Sequence, residues 1–456
     1  MTSHDSTIVV DIDERVSVPR SIMLALQHVL AMDIYIVPII LAGVLAMGVG
    51  ETSTLVQMTL VASGIATILQ VTIGTRLPVV QGPSYIPIGA LAAIGGGFGL
   101  ATMIGSLIPG ALLITALGFI KAVGKAIRWL IPPIVAGTVI LVIGISLMPV
   151  ALGNIYAAGE DGAGGELVVA LSTAGLLVAL LVLGARAARA LKILKVCSVL
   201  LAIAGGTVFA GFYGMVDFSP VGEASWIALP GIFQYGPPQF EWSAVLTLAV
   251  IYLIVLVEST GTWFAVGGVT GRKITDRVIT GGVRAEGLGC VVAPVIGGMP
   301  VTGYATNAGV IAITGVASKR VIIFTGGILV ALGLVPKFST LIASIPEVVI
   351  MGAFSIVTVI IAMNGVKVLG PVTMSERNML VIGVPILVTL AASAMPESVK
   401  ETLPTILQYL VEGGMALGAV AALVLNLILP RDTNAAAAAG AVADTDTAPG
   451  PDRAPE

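Results

Sequence analysis

Long apolar runs follow one another through most of the chain, parted by short polar or glycine-rich turns. A run of about 20 residues spans the hydrocarbon core of a bilayer as a helix, and the pattern holds about fourteen such segments between residues 21 and 430. Two of them break the pattern. Val79-Val80-Gln81-Gly82-Pro83-Ser84-Tyr85-Ile86 and Met299-Pro300-Val301-Thr302-Gly303-Tyr304-Ala305-Thr306-Asn307 are too polar and too rich in Gly and Pro for an ordinary spanning helix. They fall in the third segment (79–95) and the tenth (301–315), and extended backbone at membrane depth survives only where it is buried in protein or lines a cavity. Their separation of about 220 residues lays segment one (21–47) on segment eight (241–267), which predicts two halves of seven spans each. An odd number per half inserts the second half upside down. Interrupted segments at matching places of inverted repeats point to a transporter's central site.

Composition agrees. Hydrophobic residues are 57% of the chain and charged ones 10%, against roughly 25% charged in a soluble domain. An all-α polytopic protein of the lipid bilayer is expected. The cysteines, Cys197 and Cys290, imply no disulfide framework, and no basic patch suggests nucleic acid. No cleavable signal peptide is visible, and the residues from about 431 onward read as a disordered tail. Charge sets the orientation. If the loops are numbered alternately from an inner N-terminus, only Lys337 and Lys400 of the 22 Lys and Arg fall outside. The positive-inside rule then predicts cytoplasmic termini in a cell (inner) membrane protein.

Ionisable groups inside spans are costly and therefore informative. Glu258 ends the run Leu253-Ile254-Val255-Leu256-Val257 near the middle of the eighth segment. A carboxylate there suits binding of N–H groups and exchange of a proton, with helix cross-linking as the plain alternative. Glu286 follows Arg284 in the ninth segment and fits either a gate or proton path or an interfacial pair with Arg284. His28, beside Gln27, fits proton handling or a structural hydrogen bond. Asp33 in the first span has no assigned role. The broken segments offer free backbone N–H and C=O groups and a half-helix dipole to a small planar polar molecule. Tyr85 and Tyr304 fit either the wall of such a site or the core. One membrane histidine and two scattered cysteines make neither a metal cluster nor a catalytic constellation, so neither an enzyme nor a cofactor other than a coupling proton is expected.

At these residues the chain resembles the nucleobase–ascorbate transporter family, also called the xanthine/uracil permeases or nucleobase:cation symporter-2 family. Thr306-Asn307-Ala308-Gly309, with Thr314-Gly315, is similar to the family signature, and Gln27-His28 matches a Gln-His pair in its first span. Glu258 falls where the family places a substrate-binding carboxylate, and Glu286 where it carries an acid before Gly-Leu-Gly. The resemblance implies proton-coupled uptake of a nucleobase, uracil or a purine such as xanthine, by elevator-like alternating access in a likewise implied homodimer. It implies a cytoplasmic tail at 1–20, core-domain parts at 21–125 and 241–340, gate-domain parts at 126–240 and 341–430, and a cytoplasmic tail at 431–456. Short antiparallel strands in segments three and ten are implied to meet at the substrate. Implied substrate-binding residues are Glu258, Tyr85, Ala305, Thr306, Tyr304, Thr262, Ser84 and Thr358. Asn307, Glu286, His28, Gln27 and Gly309 are implied to support the site or couple protons. Thr306 stands where the family carries Gln, Glu or Pro, and Thr262 where Asp or His is common. The alternatives are a same-family carrier of another substrate such as ascorbate and an anion exchanger of related fold.

Overall fold

The structure is a computed structural model that describes residues 8–160, 164–186, 197–412 and 414–430. The expected tail from 431 and the cations Arg189, Lys192, Lys195, Arg431 and Arg453 lie outside the described residues.

Among the described residues, nine helices are long and apolar enough to cross a membrane. Two sharply bent pairs, Lys319–Gly333 with Pro336–Ala343 and Thr405–Glu412 with Met415–Ile428, bring the number to eleven if each pair is one span. Three shorter apolar helices, Ile88–Phe98, Ser198–Gly211 and Ala305–Thr314, occupy the expected third, seventh and tenth segments. Two of the three are short for a physical reason. Each follows a strand, and extended chain advances about 3.3 Å per residue against 1.5 Å in a helix.

One of the nine, Val18–Val44, is itself interrupted: it consists of the helices Val18–Ala31 and Ile36–Val44, and the link between them carries Asp33. The long helices are apolar around most of their circumference, as expected where lipid or other helices cover every side. Capping marks the ends that matter here. The Glu241 carboxylate accepts the Ala244 amide at 2.8 Å and starts the helix Trp242–Thr270. The helix Asp276–Ile296 ends on Gly297 (φ 85°), and this left-handed turn, which a β-carbon disfavours, redirects the chain into the second broken segment.

The helix Val49–Thr72 packs on Lys319–Gly333, and Leu100–Leu117 packs on Asp276–Ile296. Pro133–Glu160 packs on Glu347–Leu369, Gly164–Arg186 on Ser198–Gly211, and Glu376–Ser393 on Met415–Ile428. Between the first two pairs lie strands β1 (Gln81–Pro83) and β2 (Val301–Gly303), which form a two-stranded antiparallel sheet.

The segment before the first helix is docked along residues 8–17. Val10 bridges Val316 in parallel, the Val9 and Val10 amides donate to the Gly315 carbonyl, and the Lys319 amide donates to the Ile12 carbonyl at 3.0 Å. The alternation Val10, Ile12 (buried) against Val9, Asp11, Asp13 (exposed) is a strand-like period of two. It lays an apolar edge on Val316 and Val321.

Candidate functional site

The two strands pair Gln81 with Gly303, Gly82 with Thr302 and Pro83 with Val301. Flanking bonds extend the ladder: the Ser84 amide donates to the Pro300 carbonyl at 2.9 Å and the Tyr304 amide to the Val80 carbonyl at 3.0 Å. Backbone this deep in an apolar interior must find partners. Neighbouring helices supply the rest. Thr67 Oγ1 accepts the Gln81 amide at 2.9 Å, Thr262 donates to the Gly303 carbonyl at 2.8 Å, and the Cys290 thiol donates to the Val301 carbonyl. The close approach needs glycine at Gly82, where a β-carbon would lie 2.8 Å from Tyr304 Cδ2.

Two carboxylates meet this sheet from the helices Trp242–Thr270 and Asp276–Ile296. Glu258 is half-buried, and the Ser84 hydroxyl donates to its Oε2 at 2.8 Å. Glu286 is buried at 2% exposure and is held by the Ser259 hydroxyl. It has no contact with Arg284, whose Nε donates to the Gly118 carbonyl and whose guanidinium lies over Phe119. Among the described residues the partner of Glu286 is thus Ser259, and no ion pair joins it to Arg284.

The hydroxyls of Ser259 and Thr302 are 2.8 Å apart, and Ser259 accepts the Gly303 amide at 2.9 Å. These two hydroxyls lie between Glu286, which Ser259 bonds, and Glu258, whose carboxylate Thr302 also influences. Ser259→Ala removes one of them and strips a buried carboxyl and a buried amide of their shared partner. We expect it to lower stability by about 1–3 kcal/mol and to leave uptake insensitive to an imposed pH gradient. Thermal unfolding, and uptake with and without a gradient, check both.

The other side of the site is aromatic. Tyr85 stacks on Phe354 of the helix Glu347–Leu369, with ring centroids 5.7 Å apart and 17° between planes. Its hydroxyl donates to Asp33 Oδ2 at 2.7 Å. Asp33 thus gains a role that its sequence position did not reveal: it holds Tyr85 from the break in the first apolar run. The helix Ala305–Thr314 begins one residue after β2, so the amides of Ala305 and Thr306 lack intrahelical acceptors, while that of Asn307 donates to the Tyr304 carbonyl at 3.1 Å. The Thr306 hydroxyl is buried there without a hydrogen-bond partner among the described residues. Asn307 donates to the Pro78 carbonyl and ties this helix to the chain entering β1, with His28 beside it.

Other expected residues stand differently. Thr262 is fully buried and spends its hydroxyl on β2. Thr358 is fully buried and bonds the Ser355 carbonyl of its own helix. Phe354, one helical turn before Thr358, is the side chain that reaches Tyr85. Gln27 is half-buried on the helix that carries His28. A β-carbon on Gly309 would meet nothing within 4 Å, so close packing does not explain that glycine. Sequence reasoning missed Phe354, Ser259 and Thr302. The i, i+4 spacing to Thr358 and adjacency to Glu258 were the available signals.

The permease family profile for xanthine/uracil permeases matches residues 19–398. Among similar proteins, "Uric acid permease PucK" of Bacillus subtilis is 34% identical over 89% of this chain and 94% of its own length. The "Xanthine permease" of the same organism is 33% identical over 90% and 93%, and "Xanthine permease XanP" of Escherichia coli is 31% identical over 94% and 96%. Among solved structures, the transmembrane domain of the cyanobacterial bicarbonate transporter BicA aligns with TM-score 0.58 at 16% identity, covering 84% of this chain and 98% of that one. SLC26A9 aligns with TM-score 0.60 at 12% identity over 90% and 65%. At such identities the structures share the fold alone. The profile and the near-full-length relatives, set beside the paired strands and their carboxylates, make this chain a member of the xanthine/uracil permease family of membrane transporters.

Proposed function

We propose that the protein is a secondary active carrier that takes up an oxopurine, xanthine or uric acid, together with a proton. The observation that carries this reading is the convergence of a half-buried carboxylate, free amides and an aromatic stack at one pair of strands. A flat heterocycle presents N–H and C=O groups along its edge. Glu258 accepts from the former, the amides of Ala305 and Thr306 donate to the latter, and Tyr85 with Phe354 covers a ring face. Relatives named for uric acid and xanthine favour a purine over uracil. The hydroxyls that lie between Glu258 and Glu286 support coupling to protons. An exchanger of small inorganic anions fits less well, because such an ion offers no N–H edge from which Glu258 could accept and no ring face for Tyr85 and Phe354 to cover.

We read the chain as fourteen spans in two inverted repeats of seven, with an elevator-like core at 21–125 and 241–340 and a gate at 126–240 and 341–430. The packing pairs support this. An offset of about 220 residues converts the pairing of Val49–Thr72 with Lys319–Gly333 into that of Asp276–Ile296 with Leu100–Leu117. The helices Gly164–Arg186 and Glu376–Ser393 leave most of their apolar surface exposed, which suits contact with lipid or with a second protomer.

Cations from four separate expected inner loops, Arg76, Lys121, Arg272 and Lys319, line one cavity, whereas Lys337 bonds the carbonyls of residues 221–222. This supports cytoplasmic termini. A reporter fused after residue 430 is expected to read cytoplasmic, and a periplasmic signal would overturn the inverted repeat. The function itself is tested by a thermal-shift panel of xanthine, uric acid, uracil, ascorbate and bicarbonate, followed by uptake of each stabilising compound. Xanthine or uric acid should stabilise and be transported. Stabilisation by ascorbate or bicarbonate alone would sink the proposal.

A further inference from the structure

A cavity of about 850 Å³ opens beside the docked segment of residues 8–17. Its lining includes no residue of β1 or β2 and neither site carboxylate. It is walled by that segment, by the turn at 73–77, by Lys121, by residues 272–284 and by Lys319. Seven of the lining residues are cations and two are carboxylates. Both carboxylates are engaged: Asp276 pairs with Arg128 at 2.9 Å, and Asp13 bridges Arg272, at 2.8 Å, and Lys319. Arg76, Lys121, Lys273 and Arg277 have no acidic partner among the described residues.

The positive-inside rule accounts for the sign of these charges. It does not account for their arrangement around a concavity. One further observation points to a ligand. Asp13 places its carboxylate between the Arg272 guanidinium and the Lys319 ammonium, so an acidic group already sits where these two cations converge. The Lys319 ammonium beside it holds the Asp13 carboxyl below the usual carboxylate range. Asp13 is the chain's own occupant of a place made for anionic oxygens.

We propose that this cavity is a binding site for a multiply charged phosphate group, which competes with Asp13 for Arg272 and Lys319 and is held further by Arg76, Lys121, Lys273 and Arg277. The arginine fork matches phosphate oxygens, and the volume fits a nucleotide-sized ligand or a lipid headgroup. A single small anion meets too few of the spread charges to be held well. The site is independent of the transported substrate.

The test uses the full chain and three probes: inorganic pyrophosphate and guanosine monophosphate by calorimetry in detergent, and phosphatidate in phosphatidylcholine nanodiscs by native mass spectrometry. Saturable binding of either soluble probe, undiminished when phosphatidate is added to nanodiscs, identifies a free phosphate ligand. Retained phosphatidate that blocks pyrophosphate identifies a headgroup. In either case the double variant Arg76→Gln/Arg277→Gln is expected to weaken binding by roughly tenfold or more, and added salt to weaken it in wild type. Asp13→Asn is expected to tighten binding by roughly threefold, since it removes the competitor. If the double variant does not fold, Asp13→Asn decides. Absence of binding by all three probes, unchanged affinity in a folded double variant, or unchanged or weaker binding in Asp13→Asn overturns the proposal.

Discussion

Glu258→Gln is expected to weaken binding of xanthine or uric acid by roughly 10- to 150-fold and to flatten the pH dependence of uptake. The magnitude follows from losing a hydrogen bond to a charged group, about 1.5–3 kcal/mol. The amide keeps the shape of the carboxyl but cannot ionise, so it can neither accept along its whole edge nor take up and release a proton. Glu258→Asp keeps the charge but withdraws it by one methylene from Ser84, now 2.8 Å away, and should also weaken binding while retaining pH dependence. Equilibrium binding across pH for wild type and both variants is the measurement. An unchanged affinity and profile in Glu258→Gln would make Glu258 a packing carboxyl that fastens β1 through Ser84. Glu286 and His28 would then lead as proton-coupling groups.

The second large effect is expected at Gly82, with Gly309 as its control. A side chain at Gly82 drives into the Tyr304 ring at the centre of the strand pair. Overpacking of this kind typically costs about 1–3 kcal/mol, and here the strain falls on Tyr304 and the start of the helix Ala305–Thr314. Gly82→Val is therefore expected to lose roughly tenfold or more in affinity and uptake at normal expression. Gly309→Ala enters open space within a helix and should hold or raise stability, by about 0.5–1 kcal/mol from helix propensity, with transport intact. Uptake assays and melting temperatures separate the two. Normal uptake in Gly82→Val would mean that the strands yield freely and do not define the site.

Particular residues show why some of this was legible and some was not. The broken segments stand out in sequence because Gly and Pro interrupt an apolar run at matching places. Glu258 and Glu286 stand out because charge within a span is rare and costly. Gly309 stands in the signature-like stretch, yet the open space around it supplies no packing reason for a glycine. The alternation of Val10 and Ile12 within a charged segment was visible, yet it acquires meaning only beside Val316.

Sequence alone determined the class: hydrocarbon admits few backbone solutions, so run length, charge asymmetry and composition are enough to specify a multi-span helical protein with two interrupted segments. Only the tertiary structure decided the chemistry between them. Tyr85 meets Asp33 across 52 positions, Ser259 meets Thr302 across 43, and Ser84 meets Glu258 across 174. Serine, threonine and tyrosine are common in membrane helices and carry no charge to mark them. Whether such a hydroxyl bonds its own helix, as Thr358 does, or lies between the two carboxylates of the site, as Ser259 and Thr302 do, depends on which helix face turns inward and on strand register, and those are set by packing across the whole molecule.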